Sequence, residues 1–140
     1  MSEKFQILAN FIKDISSETP DVQSYLFVKE NISKYKLNID ITSKAIKNKM
    51  IEVNTILKFE DKESNEKKSY FEITYVSIIR IDESVKEKKE LEKIIICDLQ
   101  NLIYPKLEKV FLNLLNDSGF PNVKMEKKVD FNELYNKRFN

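Results

Sequence analysis

Residues 51–59 read Ile51-Glu52-Val53-Asn54-Thr55-Ile56-Leu57-Lys58-Phe59. Ile51, Val53, Thr55, Leu57 and Phe59 share one parity; Glu52, Asn54 and Lys58 share the other. Successive side chains of a strand point to opposite faces, so this spacing predicts a strand with one apolar and one polar face. The same alternation continues on both sides. Upstream, Tyr35, Leu37, Ile39 and Ile41 alternate with Lys36, Asn38, Asp40 and Thr42 from Lys34 onward, before a polar turn at Ser43–Lys49. Downstream, past the charged loop 60–68, Phe71, Ile73, Tyr75, Ile79 and Ile81 alternate with Tyr70, Glu72 and Thr74 over 69–81. Links this short make the three strands an antiparallel meander. A further strand is predicted over Phe5–Glu18, where Ile7, Ala9, Phe11 and Ile15 share a parity that Leu8, Ile12 and Lys13 blur. Pro20 ends it. Residues 21–33 have no clean period and hold the apolar cluster Tyr25-Leu26-Phe27-Val28. A connection of that length reads as a crossover, so the first strand need not pair with the second.

After the sheet the period changes. Leu91, Ile94, Ile95, Leu99, Leu102 and Ile103 recur at three- and four-residue spacing, and the stripe resumes through Leu107, Val110, Phe111, Leu114 and Leu115. That is helical spacing. Pro105 predicts a break or kink with a new first turn, and Gly119 a C-terminal cap. Asp130-Phe131-Asn132-Glu133 reads as a capping box for a short helix through Tyr135. The expected fold is α+β: a four-stranded antiparallel sheet with C-terminal helices packed on one face, one domain over residues 1–140. Val76 and Ile78 fall on the parity opposite Ile79 and Ile81. One helix layer covers one face, so the second face calls for a partner chain or a ligand.

Composition narrows the function. The 140 residues contain no histidine, which removes the commonest general base, the commonest metal ligand and every Ser-His or Cys-His pair. One cysteine, Cys97, excludes an intrachain disulfide and a thiolate metal cluster. One glycine excludes a glycine-rich phosphate loop, so no nucleotide cofactor is expected. Lys plus Arg total 24 against 23 Asp plus Glu, a net charge of +1 that gives no reason to expect nucleic acid or an anionic membrane. No apolar run reaches the length of a membrane span or follows a basic start, so a cytoplasmic protein without membrane insertion is expected. A binding role fits better than catalysis.

Cys97 lies in an apolar stripe and reads as a buried structural residue. Asp14, Glu18 and Glu72 sit on the polar parity of their strands. They suit a solvated face, a paired acid–base site or an acidic dock for a basic partner. Lys86, Lys88, Lys89 and Lys93 alternate with Glu87, Glu90 and Glu92, the pattern of a solvated helix face. The cluster 25–28 reads either as a plug at the end of the core or as the wall of an exposed apolar groove.

Several segments together resemble the bacterial export chaperone family SecB. They are Phe5-Gln6-Ile7, Lys13-Asp14-Ile15-Ser16, Glu18-Thr19-Pro20, Leu102-Ile103-Tyr104-Pro105, Gly119-Phe120-Pro121 and Val129-Asp130-Phe131-Asn132-Glu133-Leu134-Tyr135. The resemblance implies a cytosolic homotetramer, a dimer of dimers, with no cofactor, no catalytic residues and no metal of its own. It implies binding of unfolded preproteins and their delivery to the translocase ATPase SecA, whose basic tail carries its own zinc. Carried over by position, Asp14, Glu18, Tyr70 and Glu72 would bind SecA. Tyr25, Leu26, Phe27, Leu134 and Tyr135 would line the client groove, and Ile95, Leu99 and Leu102 the oligomer interface. The chain departs from the family pattern in its near-neutral charge, in Ser17 where an aromatic is frequent, and in lacking a tryptophan. It also has Leu99-Gln100 for a Cys-Pro pair, Glu108 for an arginine and Val76-Ser77 for a glycine pair. The competing readings are a SecB-like chaperone of a toxin–antitoxin pair, a thioesterase-like enzyme using Asp or Glu, and a small-ligand-binding α+β protein.

Overall fold

The computed structural model describes residues 4–62, 68–125 and 129–139. The chain runs β1 (Phe5–Glu18), α1 (Val22–Asn31), β2 (Lys36–Ala45), β3 (Met50–Glu60), β4 (Tyr70–Ile81), α2 (Lys88–Lys93), α3 (Leu99–Asp117) and α4 (Phe131–Phe139). The four strands form one antiparallel sheet in the order β1-β4-β3-β2. The meander is as the alternation predicts, and β1 reaches across to pair with β4, leaving β1 and β2 as edges. Residues 63–67 of the charged loop lie outside the described residues.

β1 explains its own blurred pattern. Its register against β4 slips between Ile7 and Ala9 and again between Ile12 and Asp14. Each extra residue turns the following side chains to the other face. Phe5 and Ile7 pair with Ile81 and Ile79 on the helix side; Phe11 then pairs with Val76 on the outer side; Ile15 pairs with Ile73, back on the helix side.

The helices cover the face that carries Val53, Leu57, Phe71 and Ile73, all buried completely or nearly so. Phe111 of α3 meets Phe59 edge-on at 5.3 Å, and Phe120 meets Phe71 at 5.7 Å. Gln100 Nε2 donates to Thr55 Oγ1 at 2.9 Å and to the Ile95 carbonyl at 3.3 Å, so a buried amide is satisfied between sheet and helix.

Three expectations need correction. Residues 21–33 do cross over from β1 to the far edge strand β2, but as α1 and a 3-10 turn at Ile32–Lys34 rather than as an irregular connection. The Asp21 carboxylate caps α1 by accepting from the Ser24 N–H at 2.7 Å. The helix shows no apolar stripe because Val22 and Leu26 face solvent while Ser24 and Val28 face inward. Pro105 does not break α3, which continues through it. The ring removes only the N–H that would bond the carbonyl of Asn101, an exposed residue that water can serve. The irregularity lies earlier, in a π-turn at Ile94–Asp98, where the Leu99 N–H reaches back to the Ile94 carbonyl. Ile94, Ile95, Ile96 and Cys97 are all buried there because α4 closes the side away from the sheet. The Cys97 thiol lies 3.4 Å from the Phe131 carbonyl, and burial pushes it up from its ordinary range. Third, α4 runs past Tyr135 to Phe139.

Both caps are where the sequence puts them. Asp130 accepts from the Glu133 N–H at 3.1 Å. At the end of α3, the Phe120 N–H reaches the Leu115 carbonyl at 2.8 Å and the Gly119 N–H reaches Asn116 at 3.2 Å. This is a Schellman closure, with Gly119 at φ +99°. A Cβ there would stand 2.6 Å from Tyr25 Cε1. The β2–β3 turn instead holds Asn48 and Lys49 left-handed, both at φ 61°. In urea denaturation, Gly119→Ala therefore lowers stability by about 2 kcal/mol, and Lys49→Gly raises it by about 0.5 to 1 kcal/mol.

Candidate functional site

Two surfaces stand out, a groove beside edge strand β2 and the outer face of the sheet. The groove encloses about 1080 Å³ between β2 and the pair formed by α4 and residues 122–125. Leu37, Ile39 and Phe59 supply apolar sheet residues, and Val123, Met125 and Leu134 face them. Lys36, Lys124, Asp130, Glu133 and Lys137 bring charge to the lining, with Lys137 Nζ 3.4 Å from Glu133. Tyr35 also lines it. Its buried hydroxyl donates to the Ser69 carbonyl at 2.5 Å, and its pKa is pushed up to about 12 by burial, with Asp61 and Glu60 adding. The ring is thereby fixed as a wall.

The free edge of β2 runs along this groove. Arg138 Nη1 donates to the Ile41 carbonyl at 3.0 Å, so that carbonyl points away from β3. In an antiparallel strand alternate residues share a direction, so Ile39 and Leu37 also turn their backbone groups outward. An extended peptide could add to those groups while its alternate side chains enter the groove.

The structure does not gather the five sequence-selected groove residues. Leu134 lines the groove. Tyr135 turns to the opposite side of α4, its hydroxyl 3.5 Å from the Lys89 carbonyl. Tyr25 stacks 5.2 Å from Phe120 and donates to the Gly119 carbonyl at 2.8 Å, closing the end of the core with Phe27. Leu26 is 54% exposed on α1, outside the groove lining. Sequence reasoning missed Leu37, Ile39, Val123 and Met125. The two strand residues look like ordinary core, and the other two sit in coil without a period.

The outer face does gather its set. Glu18 pairs with Tyr70, Asp14 with Thr74, and Glu72 lies between Ser16 and Lys58 across the ladder. Residues opposed across a ladder share a face, so Asp14, Glu18, Tyr70 and Glu72 lie on one side of the sheet. Tyr70 donates to Glu72 Oε1 at 2.5 Å, and Lys58 Nζ lies 3.8 Å from the same oxygen. Burial, the Glu72 hydrogen bond and the charges of Glu72, Glu60 and Glu18 hold the Tyr70 phenol far above its ordinary range. Glu60 belongs to this cluster although the sequence reading put it in a loop. Lys58 is a cation within it.

Of the three expected interface residues, Ile95 is 6% exposed and Leu99 0%, both covered within the chain itself. Only Leu102, 63% exposed, has surface to offer. Along edge strand β1, Leu8, Phe11, Ile12 and Ile15 are 37–46% exposed. Among the described residues, no group of three or more His, Cys, Asp or Glu is placed to hold a metal ion, and no helix is long and apolar enough to cross a membrane.

The groove assignment is open to a direct check. Val123→Asp and Leu134→Asp each reduce the fluorescence of a bound apolar dye to less than about half, with the melting temperature retained. Leu26→Asp leaves the signal unchanged.

Against known proteins, the model of the SecB family, described as preprotein translocase subunit SecB, matches residues 1–140. A Pelagibacter ubique (strain HTCC1062) protein, provisionally named protein-export protein SecB, is 63% identical over 140 residues, all of both chains. The protein-export protein SecB of Bradyrhizobium sp. (strain BTAi1 / ATCC BAA-1182) is 24% identical over 132 residues, 94% of this chain and 80% of that one. Among solved structures, the Mycobacterium tuberculosis SecB-like chaperone Rv1957, in complex with a ChAD peptide from the HigA1 antitoxin, shares the fold. Its TM-score is 0.58 at 10% identity, covering 89% of this chain and 91% of that one.

Proposed function

We propose, from the premise that the chain belongs to the SecB family of protein-export chaperones, that it holds unfolded preproteins along the β2 groove and passes them to SecA at its carboxylate-bearing sheet face. The observation that carries the reading is the groove: apolar walls, charged rims and a free strand edge in one place. Backbone groups at a strand edge recognise any extended chain, and apolar walls add affinity without demanding a sequence. Both properties suit a protein whose clients share only their unfolded state.

A chaperone that binds only the unfolded chain acts by mass action, lowering the free unfolded concentration. At roughly 25 cal/mol per Å² of apolar surface, one short groove grips weakly. Several grooves on one assembly raise avidity through effective concentration. We therefore read the protein as a homotetramer, a dimer of dimers. The exposed Ile12 and Ile15 at the β1 edge and Leu102 on α3 are among the apolar surfaces that its contacts can use. The family is one of chaperones rather than enzymes, and we place its action in the cytoplasm, where preproteins meet SecA. On the outer face, Asp14, Glu18, Tyr70 and Glu72 are read as the SecA dock, with a basic tail as its complement.

Native mass spectra of the protein, alone and mixed with a diluted, denatured secretory precursor, test the client reading. Four chains that take up one precursor are expected; a monomer or dimer that ignores it would sink the idea. Docking is tested separately by titrating a synthetic zinc-loaded peptide of the basic SecA tail. Glu72→Gln and Asp14→Asn each weaken it by about three- to tenfold at low salt, less at 0.5 M salt. Equal affinity of wild type and both variants removes the acidic face as the dock.

A further inference from the structure

Phe11 lies on the outer face of the sheet, although Ile7 and Ile15, of the same parity in β1, both face the helix side. The two register slips place it there, directly across from Val76. Val76 is 1% exposed although the helices pack on the other face, while Phe11 remains 46% exposed. Ala9 pairs with Ile78 one step further along. The result is a small apolar patch on the same face as Asp14, Glu18 and Glu72.

We propose that Phe11 is the apolar anchor of the dock, its ring taking the stem and cation of a lysine or arginine from a basic peptide whose other charges meet Asp14, Glu18 and Glu72. This rests on the reading of the outer face as the SecA dock. An aromatic face attracts a cation through its quadrupole and packs well against the aliphatic stem. Charge decides against a second copy as occupant. Two such faces brought together would set four carboxylates, Asp14, Glu18, Glu60 and Glu72, against their copies, with Lys58 and Arg80 as the cations that β3 and β4 bring to that face in partial offset. The β1 side chains suited to a second copy, Ile12 and Ile15, point to the opposite face.

The zinc-loaded SecA-tail peptide is the probe, titrated calorimetrically into wild type, Phe11→Ser, Phe11→Leu and Phe11→Tyr. Phe11→Ser is expected to weaken binding by about three- to tenfold, an effect retained at 0.5 M salt, and Phe11→Tyr to restore it to within about twofold. Where Phe11→Ser does not fold, as read by circular dichroism, Phe11→Leu decides: it keeps apolar area but loses the ring face, and several-fold weakening is expected. Wild-type affinity in the serine or leucine variant overturns the proposal and leaves the carboxylate dock standing. A change in native mass with the serine variant also overturns it, by making Phe11 a subunit contact. A tail peptide that fails to bind wild type removes the dock itself.

Discussion

A four-stranded sheet has two faces and two edges, and this chain brings one layer of helices to cover them. Everything else in the structure follows from how that shortfall is met. Helix α3 with its π-turn, closed from outside by α4, buries the face made by β2, β3 and β4. The layer reaches Phe5 and Ile7 at the start of β1 but not further along it, so Ile12 and Ile15 stay open on the helix side. Among the described residues no helix packs on the outer face, and polar alternation keeps most of it wet. Both edges remain strand edges, one beside a groove and one carrying exposed apolar residues. A chain built to stand alone would blunt these features with charge, proline or a covering loop. Here they are the surfaces on which a binding function can operate.

The fold was legible wherever a local rule is also the global one. Strand alternation in β3 survives intact because every second residue meets the same helix layer. Gly119 and Asp130 announced helix boundaries because their roles depend on backbone geometry that few other residues satisfy. Legibility failed where tertiary context overrode the local signal. Helix α1 exposes Val22 and Leu26 and buries Ser24, so its period carries no hydrophobic contrast. Pro105 would break an isolated helix, yet its lost hydrogen bond falls on a solvent-facing turn of α3. Burial of four consecutive residues at 94–97 depends on α4, whose position no stripe within those residues encodes.

The candidate sites divide the same way. Tyr70 and Glu72 share a face because β4 is regular, so parity sufficed. For β1 it did not. Asp14 and Phe11 differ in parity yet lie on one face, because an extra residue between Ile12 and Asp14 turns the strand over. A bulge leaves little mark in composition, so parity counting across it joins the wrong residues. The groove was harder still. Leu37 and Ile39 carry the pattern of core residues, and only the edge position of β2 turns them into a wall. Tyr25 and Tyr135 look like groove aromatics in sequence, but each spends its hydroxyl on a backbone carbonyl of its own chain.

The balance of charge sets how these surfaces can act. With a net charge of +1, the chain has no long-range field to gather partners, so attraction must be local. At the outer face it is local and already partly answered, since Glu72 is held by Tyr70 and faced by Lys58. Exposed ion pairs contribute at most about 1 kcal/mol and fall with salt, so a dock made only of such charges would be weak under cellular conditions. Apolar contact is not screened. A face that combines carboxylates with an uncovered aromatic can keep part of its grip where the electrostatic part fades. The groove follows the same logic from the other side. Its lining mixes Lys36, Lys124 and Lys137 with Asp130 and Glu133, so rim charge discriminates poorly between clients, and selection falls to backbone and apolar surface. Those are the two features that an unfolded chain displays and a folded one hides.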